Sequence, residues 1–422
     1  MGNLDLTRHP CFNKKAAKEF GRIHLPIAPA CNVQCNFCDR KYDCLNESRP
    51  GVCSSLLSPE QALWYFKKMS EEKGNISVAG IAGPGDPFAE PELTMRTMRL
   101  LRAEDKDLLL CVSTNGLNLL PYIPELAELN VSHVTITINA VDPDIGASIY
   151  SWIRTEKRVF RGTEGASLLL ENQLAALNSL KARGITVKIN TIIIPGINDS
   201  HISKVAKEVS RRGADTQNCI PMIPAPGSFF EDLESPGRDL AMKIKSSASK
   251  HIKQMKHCQR CRADAAGLLT DKNPEDWNDL LLSAAEMPLR PQENRPYVAI
   301  TSREGLLINQ HLGEAEQIAI YDCDDSGNPT LVEYRMAPPA GTGDLRWHNL
   351  AESLSDCNSL LTSGLGMRPK KILNDSGIKT FVLEGLVRIA LERSFQGESL
   401  QPMACGHFAC GSASCGDGQG CG

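Results

Sequence analysis

Three features are missing from this sequence, and each absence excludes a class of protein. No apolar run approaches the roughly 18 residues that a membrane span requires. The first residues hold no basic stretch followed by an apolar one, so we expect no export signal. The 46 basic and 50 acidic residues nearly balance, which argues against a nucleic-acid or acidic-lipid surface. We therefore expect a cytoplasmic protein that binds neither nucleic acid nor a membrane.

Cysteine, in contrast, is abundant, with 16 in a chain of 422 residues. Disulfide frameworks belong to short exported chains, whereas clustered thiols in a reducing cytosol are more often metal ligands. The clustered cysteines are Cys31, Cys35, Cys38 and Cys44, then Cys258 and Cys261, and finally Cys405, Cys410, Cys415 and Cys421. These clusters predict metal chemistry, while a scattered cysteine is usually a small buried apolar residue.

Apolar runs alternate with helical patterns between residues 20 and 225. The predicted strands are 23–28, 76–82, 108–113, 133–138, 186–194 and 217–223, and the predicted helices are 58–73, 91–102, 165–183 and 200–212. Six strand–helix repeats predict an α/β fold in which a parallel sheet curls into a partial (β/α)6 barrel. Ligands of such folds bind beyond the carboxyl ends of the strands, where this sequence is polar and rich in glycine.

The remaining sequence predicts a second domain and a tail. Residues 226–290 are predicted to be mostly helical, so the first domain takes residues 1–287, and the proline-rich stretch 288–296 is a linker. Strand and helix patterns return over residues 297–396, which predicts a second, smaller domain. Residues 397–422 are rich in glycine, serine and cysteine, and we expect only a bound metal to order this tail.

Cys31, Cys35 and Cys38 form a CxxxCxxC motif directly after the first predicted strand. Three thiolates at this spacing bind three irons of a 4Fe–4S cluster and leave the fourth iron open. An open iron is able to bind the amino and carboxylate groups of S-adenosylmethionine (SAM) and to pass it an electron, which is chemistry of the cofactor. A zinc site is the alternative, but zinc usually takes paired CxxC motifs.

With Phe37 before the third cysteine, this region resembles the radical SAM superfamily. The resemblance implies that the Gly-Pro-Gly-Asp-Pro segment at 83–87 contacts SAM, although such a segment alone is an ordinary turn. The SAM-binding residues that it implies are Gly83, Gly85 and Asp86 for the amino group, Ser113, Asn115 and Asn139 for the ribose or carboxylate, and Ile194 for the adenine.

Longer strings resemble the NifB family, the radical SAM proteins of nitrogenase cofactor biosynthesis. They include His9-Pro10-Cys11-Phe12, Asp39-Arg40-Lys41-Tyr42-Asp43-Cys44, Asn46-Glu47-Ser48-Arg49-Pro50-Gly51 and Cys261-Arg262-Ala263-Asp264-Ala265. The resemblance runs from about residue 5 to 270, so it rests on far more than cysteine spacing.

This resemblance implies a specific reaction. Two further 4Fe–4S clusters would be fused into one eight-iron core, with a carbide derived from a SAM methyl group and an added sulfur. The product would be the precursor of the iron–molybdenum cofactor. The implied partners are cluster donors, cofactor carrier or scaffold proteins of nitrogenase assembly, and an electron donor such as a ferredoxin or flavodoxin.

The ligands that the resemblance implies for the two further clusters are Cys11, Cys44, Cys111, Cys258 and Cys261, with His9 and His24 as nitrogen ligands. Five thiolates and two imidazoles are fewer than two fully ligated cubanes need, and incomplete ligation would help fusion and release. Without the resemblance, His24 and Cys111 would be interpreted as packing residues. Glu47 and Arg49 are candidate catalytic residues that would remove a proton or orient SAM, with a solvated loop ion pair as the alternative.

The second domain resembles the NifX-type domain that binds cofactor precursors. The matching strings are Asn309-Gln310-His311-Leu312-Gly313 and Leu360-Leu361-Thr362-Ser363-Gly364, and the implied fold is ribonuclease H-like α/β. His311 is a candidate ligand of a departing cluster, and a surface histidine without that role is the alternative. Cys357 matches a family cysteine and is expected to be buried.

Two other functions stay open at the level of the sequence. The chain would be a different radical SAM enzyme if its auxiliary clusters only carried electrons. It would be a non-catalytic iron–sulfur carrier if its barrel no longer cleaved SAM. Only the cofactor-assembly reaction requires the transfer of a SAM methyl group onto an inorganic cluster, and the attached carrier-like domain favours it.

Overall fold

The computed structural model describes residues 4–46, 51–156, 158–255, 258, 261–269, 277–288, 294–324, 328–339, 341–398, 400 and 403. The chain divides into two compact units, Met1–Leu282 and Ser283–Gly422. Among the described residues, no helix combines the length and the apolar character that crossing a membrane requires.

Among its described residues, the first unit contains ten strands. They are β1 (Gly21–His24), β2 (Val33–Cys35), β3 (Ile76–Ile81), β4 (Leu109–Thr114), β5 (His133–Thr137), β6 (Tyr150–Thr155), β7 (Arg158–Phe160), β8 (Thr186–Ile193), β9 (Thr216–Pro221) and β10 (Ala266–Gly267). Seven of them form one sheet in the order β10-β1-β3-β4-β5-β8-β9. Strands β1, β3, β4, β5, β8 and β9 of this sheet are parallel to one another, and β10 pairs antiparallel with β1. The six predicted parallel strands are thereby confirmed.

Helices connect and cover these strands. They are α1 (Ala16–Glu19), α2 (Pro59–Lys73), α3 (Pro91–Glu104), α4 (Ile123–Glu128), α5 (Pro143–Ile149), α6 (Gly162–Ala182), α7 (Ile202–Arg211), α8 (Arg238–Ala248) and α9 (Asn278–Ala285). Helix α2 begins where it does because Ser58 and Gln61 form a reciprocal capping box and Pro59 occupies the first turn. All four predicted helices exist, with ends shifted by a few residues.

Two features of the first unit differ from the prediction. A second sheet, β2-β6-β7, joins the cysteine loop to the α5–α6 region. Residues 226–290 are not mostly helical, because the helices there are α8 and α9, and the described residues around Cys258 and Cys261 lie outside helices. The polar and glycine-containing run after Cys261 instead forms β10, which extends the main sheet.

The second unit is a smaller α/β fold. Its elements are β11 (Tyr297–Ile300), β12 (Leu307–Ile308), β13 (Gln317–Cys323), β14 (Pro329–Met336), α10 (Asp344–Ser353), β15 (Cys357–Thr362), α11 (Met367–Asp375), β16 (Lys379–Val382), β17 (Gly385–Leu386) and α12 (Val387–Gln396). The main sheet has the order β14-β13-β11-β15-β16, with β13 antiparallel to β11 and β15 parallel to it. This arrangement confirms the ribonuclease H-like fold, and Cys357 is fully buried in its core as expected.

The segment 83–87 packs against the chain that leads into the cysteine loop. The backbone N–H groups of Gly85 and Asp86 donate to the carbonyl oxygens of Ala28 and Ala30 at 2.6 and 2.8 Å. A Cβ atom on Gly85 would lie 1.9 Å from the Ala30 oxygen. Only glycine fits at this close approach of two backbones, so Gly85 sets where the cysteine loop starts.

We predict that Gly85→Ala displaces the cysteine loop and lowers the free energy of unfolding of the first unit by about 1–3 kcal/mol or more, as overpacking does. The measurement is the alkylation rate of the buried thiols of Cys35 and Cys38 in the metal-free protein, together with calorimetry. Gly237→Ala is the matched control, because a Cβ there meets nothing within 4 Å. Equal alkylation rates in both variants would contradict this role of Gly85.

Candidate functional site

The three cysteines of the CxxxCxxC motif are held in one loop. Strand β2 carries Cys35 and pairs with β6, and the N–H of Cys38 donates to the Cys35 carbonyl at 3.1 Å. The amide of Gln34 donates to the carbonyls of Cys35 and Cys38 at 3.1 and 2.6 Å. These bonds satisfy the loop backbone internally, so that the three thiols share one small volume without a disulfide.

Burial makes these thiols poor thiolates unless a cation compensates them. It raises the pKa of Cys31 to about 12, with Asp86 adding to the effect, and it raises the pKa of Cys35 well above the usual range. Neighbouring cysteines of the same loop raise the Cys35 pKa further. Because an iron–sulfur cluster binds thiolates and supplies the missing positive charge, the donor set fits such a cluster.

Asp86 is held in place from several sides. Its carboxylate accepts the hydroxyl of Thr114 at 2.9 Å and the backbone N–H groups of Asn115 and Phe88 at 2.6 and 2.9 Å. Since both oxygens already accept bonds from the protein, we assign Asp86 to joining residues 83–87 to the end of β4. The SAM contact that the sequence implies for it stays a prediction.

Asn115 lies beside the cysteine loop. Its amide donates to Asn32 Oδ1 at 2.7 Å and lies 3.9 Å from Cys31 Sγ. Ser113, two residues earlier on β4, instead lines the interior of the barrel. The structure therefore places these two predicted SAM-binding residues in different environments.

The other predicted SAM-binding residues lie near the carboxyl ends of their strands. Asn139 is fully buried, its Oδ1 accepts the N–H of Ile192, and its Nδ2 has no partner within the described part of the chain. A buried amide donor of this kind fits a polar ligand. Ile194 is buried in the core that surrounds the cysteine loop, and the carbonyl of Gly83 accepts the N–H of Ala28.

Cys44 lies near the cysteine loop. The Nδ2 atom of Asn46 is 3.6 Å from Cys44 Sγ and 3.7 Å from Cys35 Sγ. This amide therefore bridges the two thiols, and Asn46 is a site residue that the sequence analysis did not single out. Cys44 is not among the described residues that line the second thiol site, a pocket inside the barrel.

A second site occupies the interior of the barrel. The predicted ligands His9, Cys11, His24, Cys111, Cys258 and Cys261 all line one pocket, together with Arg22, Ser113, Thr135 and Lys188. Four of these predicted ligands lie outside the strands. Strand register places the other two close together, because His24 pairs with Gly80 and Gly80 with Cys111 across β1, β3 and β4. Alternate residues of a strand face the same side, so this row of the sheet faces inward.

His24 has the geometry of a ligand. Its Nδ1 lies 2.9 Å from the carbonyl oxygen of Arg262, and a carbonyl only accepts, so Nδ1 carries the proton and Nε2 carries the lone pair. A backbone carbonyl on the far nitrogen is the usual support of a metal-binding histidine. Burial, followed by the charge of Arg22, lowers the His24 pKa to about 4, which keeps the ring neutral as ligation requires.

His9 is bonded in the opposite way. Its Nδ1 accepts the N–H of Cys11 at 3.2 Å, while its buried Nε2 has no partner among the described residues. In the neutral ring, Nε2 is then an N–H donor directed away from the protein's own acceptors. Ligation through Nε2 would require this bond to Cys11 to be given up, so the two predicted histidine ligands are not equivalent.

The predicted ligands are not grouped around a single point in the described part of the chain. Within the described ranges, no three His, Cys, Asp or Glu side chains are grouped closely enough to hold one metal ion. In a cubane each protein ligand binds a different iron, so its ligands lie farther apart than those of a single ion. Burial also raises the pKa of Cys11 to about 12, with Cys261 adding to it, so this thiol too needs a cation to ionise.

The candidate catalytic residues Glu47 and Arg49 lie outside the described residues. In the described residues from Gly51 onward, the guanidinium of Arg262 donates to the carbonyl of Val52 and to Asp264. Asp264 also accepts the N–H of Ser54 at 3.0 Å. The segment that follows Glu47 and Arg49 is thereby tied to the residue whose carbonyl orients His24.

His311, the candidate ligand of the second unit, begins a short 3-10 helix, Leu312–Glu314. Its Nδ1 accepts the N–H of Gly313 at 3.0 Å. Its ring packs on Gly364, where a Cβ atom would lie 2.6 Å from the His311 Cδ2 atom. The ring is fixed by these two glycines, and its ligand role stays a prediction.

Comparisons with known proteins agree with both halves of this description. The model of the radical SAM superfamily matches residues 25–209. A second family model, described as dinitrogenase iron-molybdenum cofactor, matches residues 294–397.

Similar proteins match over most of the chain and share one name. The chain is 50% identical over 426 residues to the FeMo cofactor biosynthesis protein NifB of Chlorobaculum tepidum, covering 99% of each. It is 38% identical to that of Rhodobacter capsulatus over 88% of this chain and 91% of the relative. For Azotobacter vinelandii the identity is 36%, over 88% and 84%. With both domains matched and half of all positions identical across the full length of a relative, this chain belongs to the NifB family of FeMo cofactor biosynthesis proteins, within the radical SAM superfamily.

Proposed function

We propose that this protein fuses two 4Fe–4S clusters into the eight-iron precursor of the iron–molybdenum cofactor, with insertion of a SAM-derived carbide and an added sulfur. The observation that carries the proposal is the pocket inside the barrel. Six of the seven ligands expected for the two substrate clusters line that pocket, and none of them belongs to the CxxxCxxC loop. The protein thus has one thiol site for a resident cofactor and another for cargo.

The two sites are connected through β4. Cys111 and Ser113 line the barrel pocket. The side-chain amide of Asn115, two residues after Ser113, lies beside the Cys31 sulfur. Because residues two apart in a strand are separated by about 6.6 Å, SAM at the loop would lie close to a cluster in the pocket. This proximity supports the transfer of a group from SAM to a substrate cluster.

We assign the resident cluster to Cys31, Cys35 and Cys38. When bound, that cluster with SAM supplies one-electron cleavage of the sulfonium, giving methionine and a 5′-deoxyadenosyl radical. The chain's own residues then have positioning roles: Asn115 and Asn139 offer polar atoms at the rim, and Ile194 offers an apolar wall. Glu47 and Arg49 are proposed to remove a proton or to orient SAM.

The second unit is proposed to receive the product. Its match to the dinitrogenase iron-molybdenum cofactor family supports a carrier function, with His311 as a ligand. The proposed partners are cluster donors, carrier or scaffold proteins of nitrogenase assembly, and a ferredoxin- or flavodoxin-like electron donor in the cytoplasm. The cysteines of the predicted tail, from Cys405 onward, lie outside the described residues.

We predict that Cys35→Ala abolishes SAM cleavage while the barrel pocket still binds iron. The reason is that Cys35 supplies one of three thiolates to the resident cluster and does not line the pocket. The measurements are 5′-deoxyadenosine formation and iron content after anaerobic reconstitution. Cys219→Ala is the matched control, because Cys219 is a fully buried cysteine of the same unit. Unchanged SAM turnover in Cys35→Ala would refute the assignment of the cluster.

A truncated chain that ends at residue 294 tests the division of labour between the two units. We predict that it still cleaves SAM, because both thiol sites of the barrel lie before residue 270, but that transfer of the fused cluster to an acceptor protein changes. His311→Ala in the full chain is the companion variant. Loss of SAM cleavage on truncation would show that the second unit is part of the catalytic machinery.

A further inference from the structure

We propose that Lys188 and Arg22 form a pair of cations that holds the two substrate clusters together in the barrel pocket by offsetting their negative charge. This inference rests on the proposed function, because it concerns how the pocket tolerates its cargo. It assigns a role to two residues that supply no iron ligand.

The two cations come from distant parts of the sheet. Arg22 lies on β1 and Lys188 on β8, with β3, β4 and β5 between them in the sheet order. Both side chains nevertheless line the pocket, because the sheet curls and both residues occupy inward-facing positions. Lys188 is in register with Thr135, and Thr135 with Ser113. Lys188 therefore belongs to a row of pocket-lining residues that crosses β4 two positions after Cys111.

Arg22 touches a predicted ligand directly. Its Nη2 donates to Cys261 Sγ at 3.3 Å, and its Nη1 donates to the carbonyls of Ala266, Gly267 and Leu268. The side chain is buried, and its Nε has no partner within the described residues. Arg22 therefore carries a buried positive charge in contact with a thiol, with one N–H still available to a sulfide.

The lining explains why such charges are needed. Apart from Arg22 and Lys188, the lining residues that carry polar chemistry are thiols, imidazoles and hydroxyls, and no Asp or Glu is among the described ones. Thiolate-ligated cubanes are anions, and two anions in one buried pocket repel each other strongly because the local dielectric is low. Arg22 and Lys188 enter the pocket from β1 and β8, which three strands separate, so positive charge is spread across the lining.

The positive field of Lys188 already acts on the ligands. It lowers the pKa of His9, of Cys11 and of His24, although burial is the larger cause in each case. An ammonium that reaches all three groups lies where it would also act on clusters bound to them.

Lys188 is the better residue to test, because Arg22 also supports β10 through its three carbonyl contacts. The experiment uses the full chain carrying Cys35→Ala, which removes the resident cluster, and compares variants that share every other cysteine, so that differences in bound iron report on the pocket. Into it we introduce Lys188→Met, Lys188→Gln and Lys188→Arg, and also Lys207→Met as a control at an exposed lysine of α7. Each protein is reconstituted anaerobically with iron and sulfide, and its folding is checked by circular dichroism.

Two readouts independent of activity are measured: the affinity for iron–sulfur clusters under limiting iron, and the reduction potential of the bound clusters by EPR-monitored titration. Loss of one nearby charge in a low-dielectric site is expected to weaken cluster binding about tenfold and to move the potential to a more negative value. Lys188→Met and Lys188→Gln should both show these changes, whereas Lys188→Arg and Lys207→Met should not.

Equal affinity and potential in the neutral and the arginine variants would overturn the inference. Equal losses in Lys188→Met and Lys188→Arg would overturn it as well, because shape rather than charge would then matter. If the Cys35→Ala parent binds no iron at all, the proposed function itself fails. The failure of the pocket and the failure of its cations are therefore distinguishable.

Discussion

The structure depends on the inward curl of one parallel sheet. In a flat sheet, Arg22 on β1 and Lys188 on β8 would be separated by the width of three strands. Curvature brings them to the same pocket, and the two-residue period of each strand selects which side chains enter it. His24 and Cys111 reach the pocket for the same reason, whereas His9 and Cys11 come from the chain before β1, and Cys258 and Cys261 from the chain before β10. One backbone geometry thus gathers residues that are more than 200 positions apart in sequence.

The energetics of both sites depend on a charge that the polypeptide itself does not provide. Burial raises the pKa values of Cys31, Cys35 and Cys11, so the metal-free protein holds these thiols protonated. Iron binding reverses that preference by placing positive charge beside each sulfur, which couples cluster loading to proton release. We propose that Arg22 and Lys188 add to this compensation in the barrel pocket, from which a substrate cluster would also have to leave.

The sequence predicted the elements with local signals better than those made by distant contacts. The six barrel strands were predicted from their apolar residues, although polar residues such as Lys188 and Asn190 interrupt them, and the cysteine spacing identified the loop that holds Cys31. The small sheet of β2, β6 and β7 was missed, since Val33 pairs with Ile153 and no local pattern encodes such a pairing. Residues 226–290 were wrongly predicted to be mostly helical, since β10 forms there by pairing with the distant β1. The resemblance to a family predicted the thiols and imidazoles that line the pocket, but the cations of the pocket and the bridging amide of Asn46 follow only from the three-dimensional arrangement.

The central claim is that a SAM methyl group becomes part of an inorganic cluster in this barrel. The most direct measurement is mass spectrometry of the products that the anaerobically reconstituted wild-type protein forms from methyl-deuterated SAM. The account predicts S-adenosylhomocysteine, from methyl transfer, together with 5′-deoxyadenosine that carries deuterium taken from the transferred methyl group. Unlabelled 5′-deoxyadenosine alone, without S-adenosylhomocysteine, would contradict the account and leave a radical SAM enzyme with a different reaction.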